Sequence, residues 1–170
     1  AKKLRKRMLK EYTSFWNRAR RKKASKINLS FDEVSALASI VEKEQNIRKD
    51  ERPIIAGLYL NRIKQNMKLE SDPTLIFALQ DFTINRVLNK DKKVNSPYNT
   101  YKYKGLPPGP ICIPSINSID AVLNASEHDY IFMCAKEDFS GYHNFATNYR
   151  QHLVNARKYQ RMLNKKKILR

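Results

Sequence analysis

Five of the seven prolines and two of the four glycines fall between residues 89 and 114, in NKDKKVNSPYNTYKYKGLPPGPICIP. Proline fixes φ and removes a backbone donor, so so dense a segment is neither a helix interior nor a central strand. Regular structure must therefore lie on either side of it. The two prolines outside it, Pro53 and Pro73, stand where a helix tolerates them, in a first turn. Long ordered loops in compact domains are usually functional, and 89–114 is read here as one.

Upstream of the loop the periodicity is helical. Residues 2–24 read as one basic helix with Leu4, Met8, Tyr12, Phe15 and Trp16 on one side, a stripe expected to pack on the domain. SFDE at 30–33 is a capping box, with Ser30 as the cap and Glu33 reaching back. The helix it opens runs to about 45 and carries Val34, Leu37, Ala38 and Val41 on one face. A second helix, about 51–66, presents Ile54, Ile55, Leu58, Tyr59 and Ile63. SDPTLIFALQ at 71–80 opens a third, with Asp72 expected as its N-cap and Pro73 in its first turn. Downstream, 115–125 reads as a helix. YIFMCA at 130–135 and YHNFAT at 142–147 read as a β-hairpin around Ser140-Gly141, and a last helix spans about 148–164. There are no internal repeats. The class is α+β and mainly helical, with a small β-hairpin and a long Pro-rich loop.

The chain has 170 residues, of which 41% are hydrophobic, enough for one domain with its own core. The expected organisation is a basic N-terminal helix and linker over 1–26, followed by a globular domain over 27–170. The net charge of +18 suggests nucleic acid or an anionic surface, but its distribution argues against nucleic acid. Residues 1–26 hold 12 Lys/Arg and one acid, and residues 157–170 hold 7 Lys/Arg and none. The segment between them balances 15 Lys/Arg against 15 Asp/Glu. A neutral body with two basic ends fits attraction to an anionic polymer or a membrane surface, or simply two solvated terminal helices. No apolar run is long enough to span a bilayer. Cys112 and Cys134 lack metal-ligand spacing and read as free thiols. There is no Gly-rich phosphate loop and no HExxH. His143 and His152 have no third ligand nearby, so neither a metal nor another cofactor is expected.

Two glutamates, Glu42 and Glu44, close the run LASIVEKE at 37–44. Two positions apart on a helix is roughly 200° around its axis, so they cannot both act on one bond. Each lies on a flank of the face centred on Val34, Leu37, Ala38 and Val41, and spacing alone leaves either as a buried acid. Arg48 offers Glu44 an i,i+4 partner, whereas Asn46 offers Glu42 none, which favours Glu42 as the acid left free. Glu70 and Asp72 add two more carboxylates, Asp72 with helix capping as its alternative role. YNTYKYKGLPPGP at 98–110 combines aromatic faces with amides, as sugar rings require; an ordinary packed loop would use the same residues.

The four segments LASIVEKE at 37–44, LYLNRIKQNMKLESDPT at 58–74, YNTYKYKGLPPGPI at 98–111 and HNFATN at 143–148 occur in one order. Together they resemble the endolytic murein transglycosylases of the YceG-like, or MltG, family, from about Trp16 to the end of the chain. The resemblance implies a lysozyme-like catalytic domain and assigns the catalytic acid to Glu42, the first glutamate of VEKE, with Glu44 in support. It implies a glycan groove lined by Glu70, Ser71, Asp72 and Thr74. Further lining is expected from Tyr98, Asn99, Thr100 and Tyr101, with Leu106, Pro107 and Asn144. The family usually carries Gln or a similar residue where this chain has Glu70. Its members are bacterial, with a membrane anchor and a small LysM-like subdomain ahead of the catalytic part. The implied setting is therefore the outer face of the inner, cytoplasmic membrane, with peptidoglycan glycan strands as substrate and peptidoglycan synthases as partners.

The implied reaction breaks the β-1,4 bond between N-acetylmuramic acid and N-acetylglucosamine and leaves a 1,6-anhydro end, so that elongation of a nascent strand stops. One carboxyl suffices. It protonates the leaving oxygen and then takes the proton of the muramic C6 hydroxyl, which attacks C1. The alternatives are a muramidase using water, with Asp72 as second carboxylate, and a wall-binding module without catalysis.

Overall fold

The computed structural model describes residues 1–84 and 87–166. Among the described residues, seven α-helices and one hairpin follow in chain order. They are α1 (Lys2–Phe15), α2 (Arg18–Lys26), α3 (Phe31–Glu44), α4 (Arg52–Lys64), α5 (Asp72–Leu79), α6 (Ile116–Leu123), β1 (Phe132–Ala135), β2 (His143–Ala146) and α7 (Tyr149–Lys165). The architecture is α+β and mainly helical, as the sequence predicts. β1 and β2 pair antiparallel, Phe132 opposite Ala146 and Ala135 opposite His143. α7 packs on both strands. No helix among the described residues is long and apolar enough to cross a membrane.

α3 is the axle of the domain. Its capping box forms, with Glu33 N–H donating to Ser30 Oγ and Ser30 N–H donating to the Glu33 carboxylate. Val34, Leu37, Ala38, Ile40 and Val41 are fully buried against Ile55, Ala56 and Leu58 of α4 and Val122 of α6. Ser39, buried in the same helix, accepts a hydrogen bond from Ile111 N–H at 2.9 Å and so fastens the end of the Pro-rich loop to the core. The loop's other anchor is Asn99. Its amide donates to the carbonyls of Lys92 and Val94, and its oxygen accepts from Tyr101 and Lys102 N–H. α4 carries Gly57 where the chain passes closest. A Cβ there would lie 2.3 Å from the Ser126 carbonyl oxygen, so only glycine admits the segment that leads into β1.

The single helix expected over 2–24 is two helices. Trp16 leaves the helical path to stack on Phe31, ring centroids 4.3 Å apart, and Asn17 restarts the chain by accepting Arg20 N–H. Its apolar stripe divides accordingly. Trp16 is buried, but Leu4, Met8 and Tyr12 remain exposed. Asp72 does not cap α5. Ser71 holds the cap position without a side-chain capping bond, and Asp72 is the first helical residue. Both cysteines are free thiols whose pKa burial raises. The basic residues at 167–170 lie outside the described residues.

Candidate active site

A cleft of about 330 Å³ opens where α3, α4, α7, β1 and the segment before α5 meet. Glu44, the last residue of α3, lines it with Tyr59 and Arg62 of α4, Glu70 and Asp72, Tyr101 from the Pro-rich loop, Phe132 of β1 and His152 of α7. Glu44 Oε1 accepts hydrogen bonds from Tyr59 Oη at 2.7 Å and Ser71 Oγ at 2.6 Å. Among the described residues no donor reaches its Oε2. Burial of the carboxyl raises its pKa and the charge of Asp72 adds to that, against the two hydrogen bonds and the charge of His143. The net effect is upward. One oxygen is thus held and the other left to a ligand, as a positioned proton donor requires.

Glu42 has the opposite environment. Its Oε2 accepts from Ser115 N–H, Ser115 Oγ and Ser118 Oγ, each at 2.7 Å, at the N-terminus of α6. Burial raises its pKa, but these bonds and the charge of Arg52 outweigh burial, and the net shift is downward. Arg52 is itself buried and braces the same turn through Asn117 and Ser118. Glu42 ties α3 to α6 and does not line the cleft. The supposition that it lacks a partner is therefore corrected. So is the supposed Glu44–Arg48 pair, since Arg48 Nε donates to the Ser140 carbonyl and its guanidinium lies 4.9 Å from the centre of the Tyr142 ring.

The remaining walls set polar side chains among the apolar Leu58, Leu69, Phe132 and Met133. Tyr101 Oη donates to Asp72 Oδ1 at 2.5 Å, the bond that replaces capping, and burial with this acidic neighbour raises the tyrosine's pKa. Thr100 Oγ1 accepts Ser71 N–H and lies 2.8 Å from Thr74 Oγ1, while Glu70 N–H donates to the Thr100 carbonyl. Glu70 adopts φ 53°, a left-handed conformation uncommon outside glycine, and its carboxylate pairs with Arg62 at 3.2 Å. Behind Glu44, buried Glu51 accepts from Gln45 Nε2 and from the backbone and ring of His143; these bonds outweigh its burial and hold its pKa low. Among the described residues no His/Cys/Asp/Glu cluster suits a metal ion.

The model of the YceG-like family matches residues 1–158. The chain belongs to the YceG-like family. It is 39% identical over 113 residues to a protein of Bacillus subtilis named endolytic murein transglycosylase, covering 66% of this chain and 31% of that one. A protein of the same name from Streptococcus pneumoniae strain D39 is 34% identical over 112 residues, covering 64% of this chain and 20% of that one. A crystal structure described as a yceG-like protein of Listeria monocytogenes superposes with a TM-score of 0.71 at 34% identity. That likeness covers 79% of this chain and 43% of the other. The chain thus spans a fifth to a third of the length of these curated relatives.

Within this YceG-like chain the groove residues expected from the motifs fall into three groups. Glu70, Asp72 and Tyr101 line the cleft. Ser71, Thr74, Asn99 and Thr100 are buried and form the wall behind it. Glu42, Tyr98, Leu106, Pro107 and Asn144 stand elsewhere. Tyr98 packs against Phe77, Leu106 borders a separate shallow depression, Pro107 is buried, and Asn144 donates to Glu137. Tyr59, Arg62, Phe132 and His152 were not anticipated in the cleft. The face of α3 held a signal for Glu44. Once Ile40 is counted with Leu37, Glu44 falls between them, roughly 20° from one and 40° from the other.

Proposed function

We propose that this chain is the catalytic domain of an endolytic murein transglycosylase with Glu44 as its proton donor. The observation that carries the reading is the desolvated Glu44 carboxyl, held by Tyr59 and Ser71 at one oxygen and raised in pKa, in the cleft between α3, α4, α7 and β1. The names of the relatives supply the substrate class. Protonated Glu44 donates to the glycosidic oxygen between N-acetylmuramic acid and N-acetylglucosamine. As a carboxylate it then accepts the proton of the muramic C6 hydroxyl while that oxygen closes on C1. The hydroxyl is tethered to the reacting ring, which gives it a proximity advantage over water. Tyr59 and Ser71 stabilise the carboxylate formed in the first half, so the same bonds serve both halves. Cutting inside nascent strands would end their elongation. On this reading the parent protein works at the outer face of the bacterial cytoplasmic membrane, held by an anchor and acting beside peptidoglycan synthases.

The placement of Asp72 favours a second reading. It is not a cap and it lines the cleft; with Oδ1 held by Tyr101, its other oxygen would activate water, which would make the enzyme a muramidase. Mass spectrometry of a digest of purified peptidoglycan separates the two. The transglycosylase yields new ends one water lighter than reducing ends and inert to borohydride; reducible ends would establish the muramidase.

A further inference from the structure

We propose that Arg62 and Glu70 select the lactyl group of muramic acid in its neutral, amide-linked form. The cleft then takes strands that bear stem peptides in preference to strands whose lactyl carboxylates are free. This rests on the transglycosylase reading above and adds the substrate's substitution state to it.

Arg62 is 6% exposed and fixed by its surroundings. Nε donates to the Ile131 carbonyl at 2.6 Å, and Nη1 donates to the carbonyls of Lys68 and Leu69 and to Glu70 Oε2 at 3.2 Å. Nη2 makes no hydrogen bond among the described residues and is not sealed from solvent, so it is open to the cleft that Arg62 lines. A guanidinium so held is a preorganised donor for a carbonyl oxygen. The muramic residue at the scissile bond carries such an oxygen on the lactyl ether of its C3. In strands with a stem peptide this oxygen belongs to a neutral amide. In stripped strands it belongs to a carboxylate.

The charge of the cleft discriminates between them. Arg62 is the sole Lys or Arg among the described lining residues, and Glu70 already neutralises it. Asp72 then stands as a carboxylate that no lining cation pairs; it accepts from Tyr101, whose ring Lys92 Nζ approaches to 4.5 Å from outside the lining. His152 does not restore the balance, because burial and the charge of Arg62 hold its pKa down. A second carboxylate entering this space meets the carboxylates of Glu70 and Asp72, whereas an amide carbonyl accepts the Nη2 bond without that repulsion. Glu70 is thus the residue that turns an anion site into an amide site.

The test compares kcat/KM on stem-bearing strands, on amidase-stripped strands, and on stripped strands whose carboxylates have been converted to primary amides. The wild-type protein is expected to cut stripped strands about tenfold more slowly than stem-bearing ones, a ratio set by one partly screened charge. Conversion to the amide should recover the loss. Glu70→Gln keeps an oxygen for Arg62 Nη1 and removes the charge, so it should raise turnover of stripped strands and bring the ratio toward one. Equal wild-type rates on stripped and stem-bearing strands, no recovery on amidation, or a Glu70→Gln change common to all three substrates would each overturn the inference. Turnover of the stem-bearing strands reports separately on the transglycosylase reading.

Discussion

Glu42 and Glu44 differ in what the distant chain brings to them. Ser115 and Ser118 give Glu42 three donors; Tyr59 and Ser71 give Glu44 two donors and a desolvated site. Their pH signatures are therefore opposite. The Glu42 pKa is depressed in the folded state, so its stabilisation is present above the unfolded value and lost as pH falls through the folded one. Glu42→Gln should cost about 1 kcal/mol at neutral pH, a drop of a few degrees in Tm, with the difference fading in acid. The Glu44 pKa is raised, so its favourable contribution is present below the unfolded value and lost as pH rises through the folded one. Glu44→Gln should accordingly raise Tm relative to wild type at neutral and alkaline pH but not in acid. Thermal scans across pH check both. The role of Glu42 was not legible in the sequence, because its serine donors lie more than seventy positions away and the i,i+4 rule sees only its own helix. That rule also misplaced Arg48, which finds a carbonyl and an aromatic ring across the hairpin.

Elements were legible where their signals are local. The capping box of α3, Pro53 in α4, the hairpin and the irregular segment at 89–114 all follow from short-range chemistry. α5 shows the limit: Asp-Pro-Thr carries a capping pattern, yet the tertiary bond from Tyr101 takes the Asp72 carboxylate instead. α1 shows another. Its amphipathic stripe is real, but no surface within the described residues covers Leu4 and Met8. The Pro-rich loop holds the cleft wall through Asn99, a buried amide with four backbone bonds. Asn99→Ala leaves those groups unpaired and should cost at least about 2 kcal/mol in urea unfolding. It should also lower turnover beyond the loss of folded protein, because Thr100 and Tyr101 move with the loop. An Asn99→Ala protein of unchanged stability would show that the loop is held by other means.

At the scale of the whole molecule, a strongly basic chain carries its cleft in a neutral body, with three carboxyls and one guanidinium among the lining groups. The charged ends and the cleft are thus separate, and the proposed function places catalysis in the cleft. That assignment turns on Glu44. The most direct test is the initial rate of muropeptide release from purified peptidoglycan by wild-type, Glu44→Gln and Glu42→Gln proteins, each corrected for its folded fraction. Glu44→Gln should fall by at least about a hundredfold, the scale of general acid catalysis, while Glu42→Gln stays within a few fold of wild type. A Glu42→Gln protein that is folded and inactive beside an active Glu44→Gln would contradict the account.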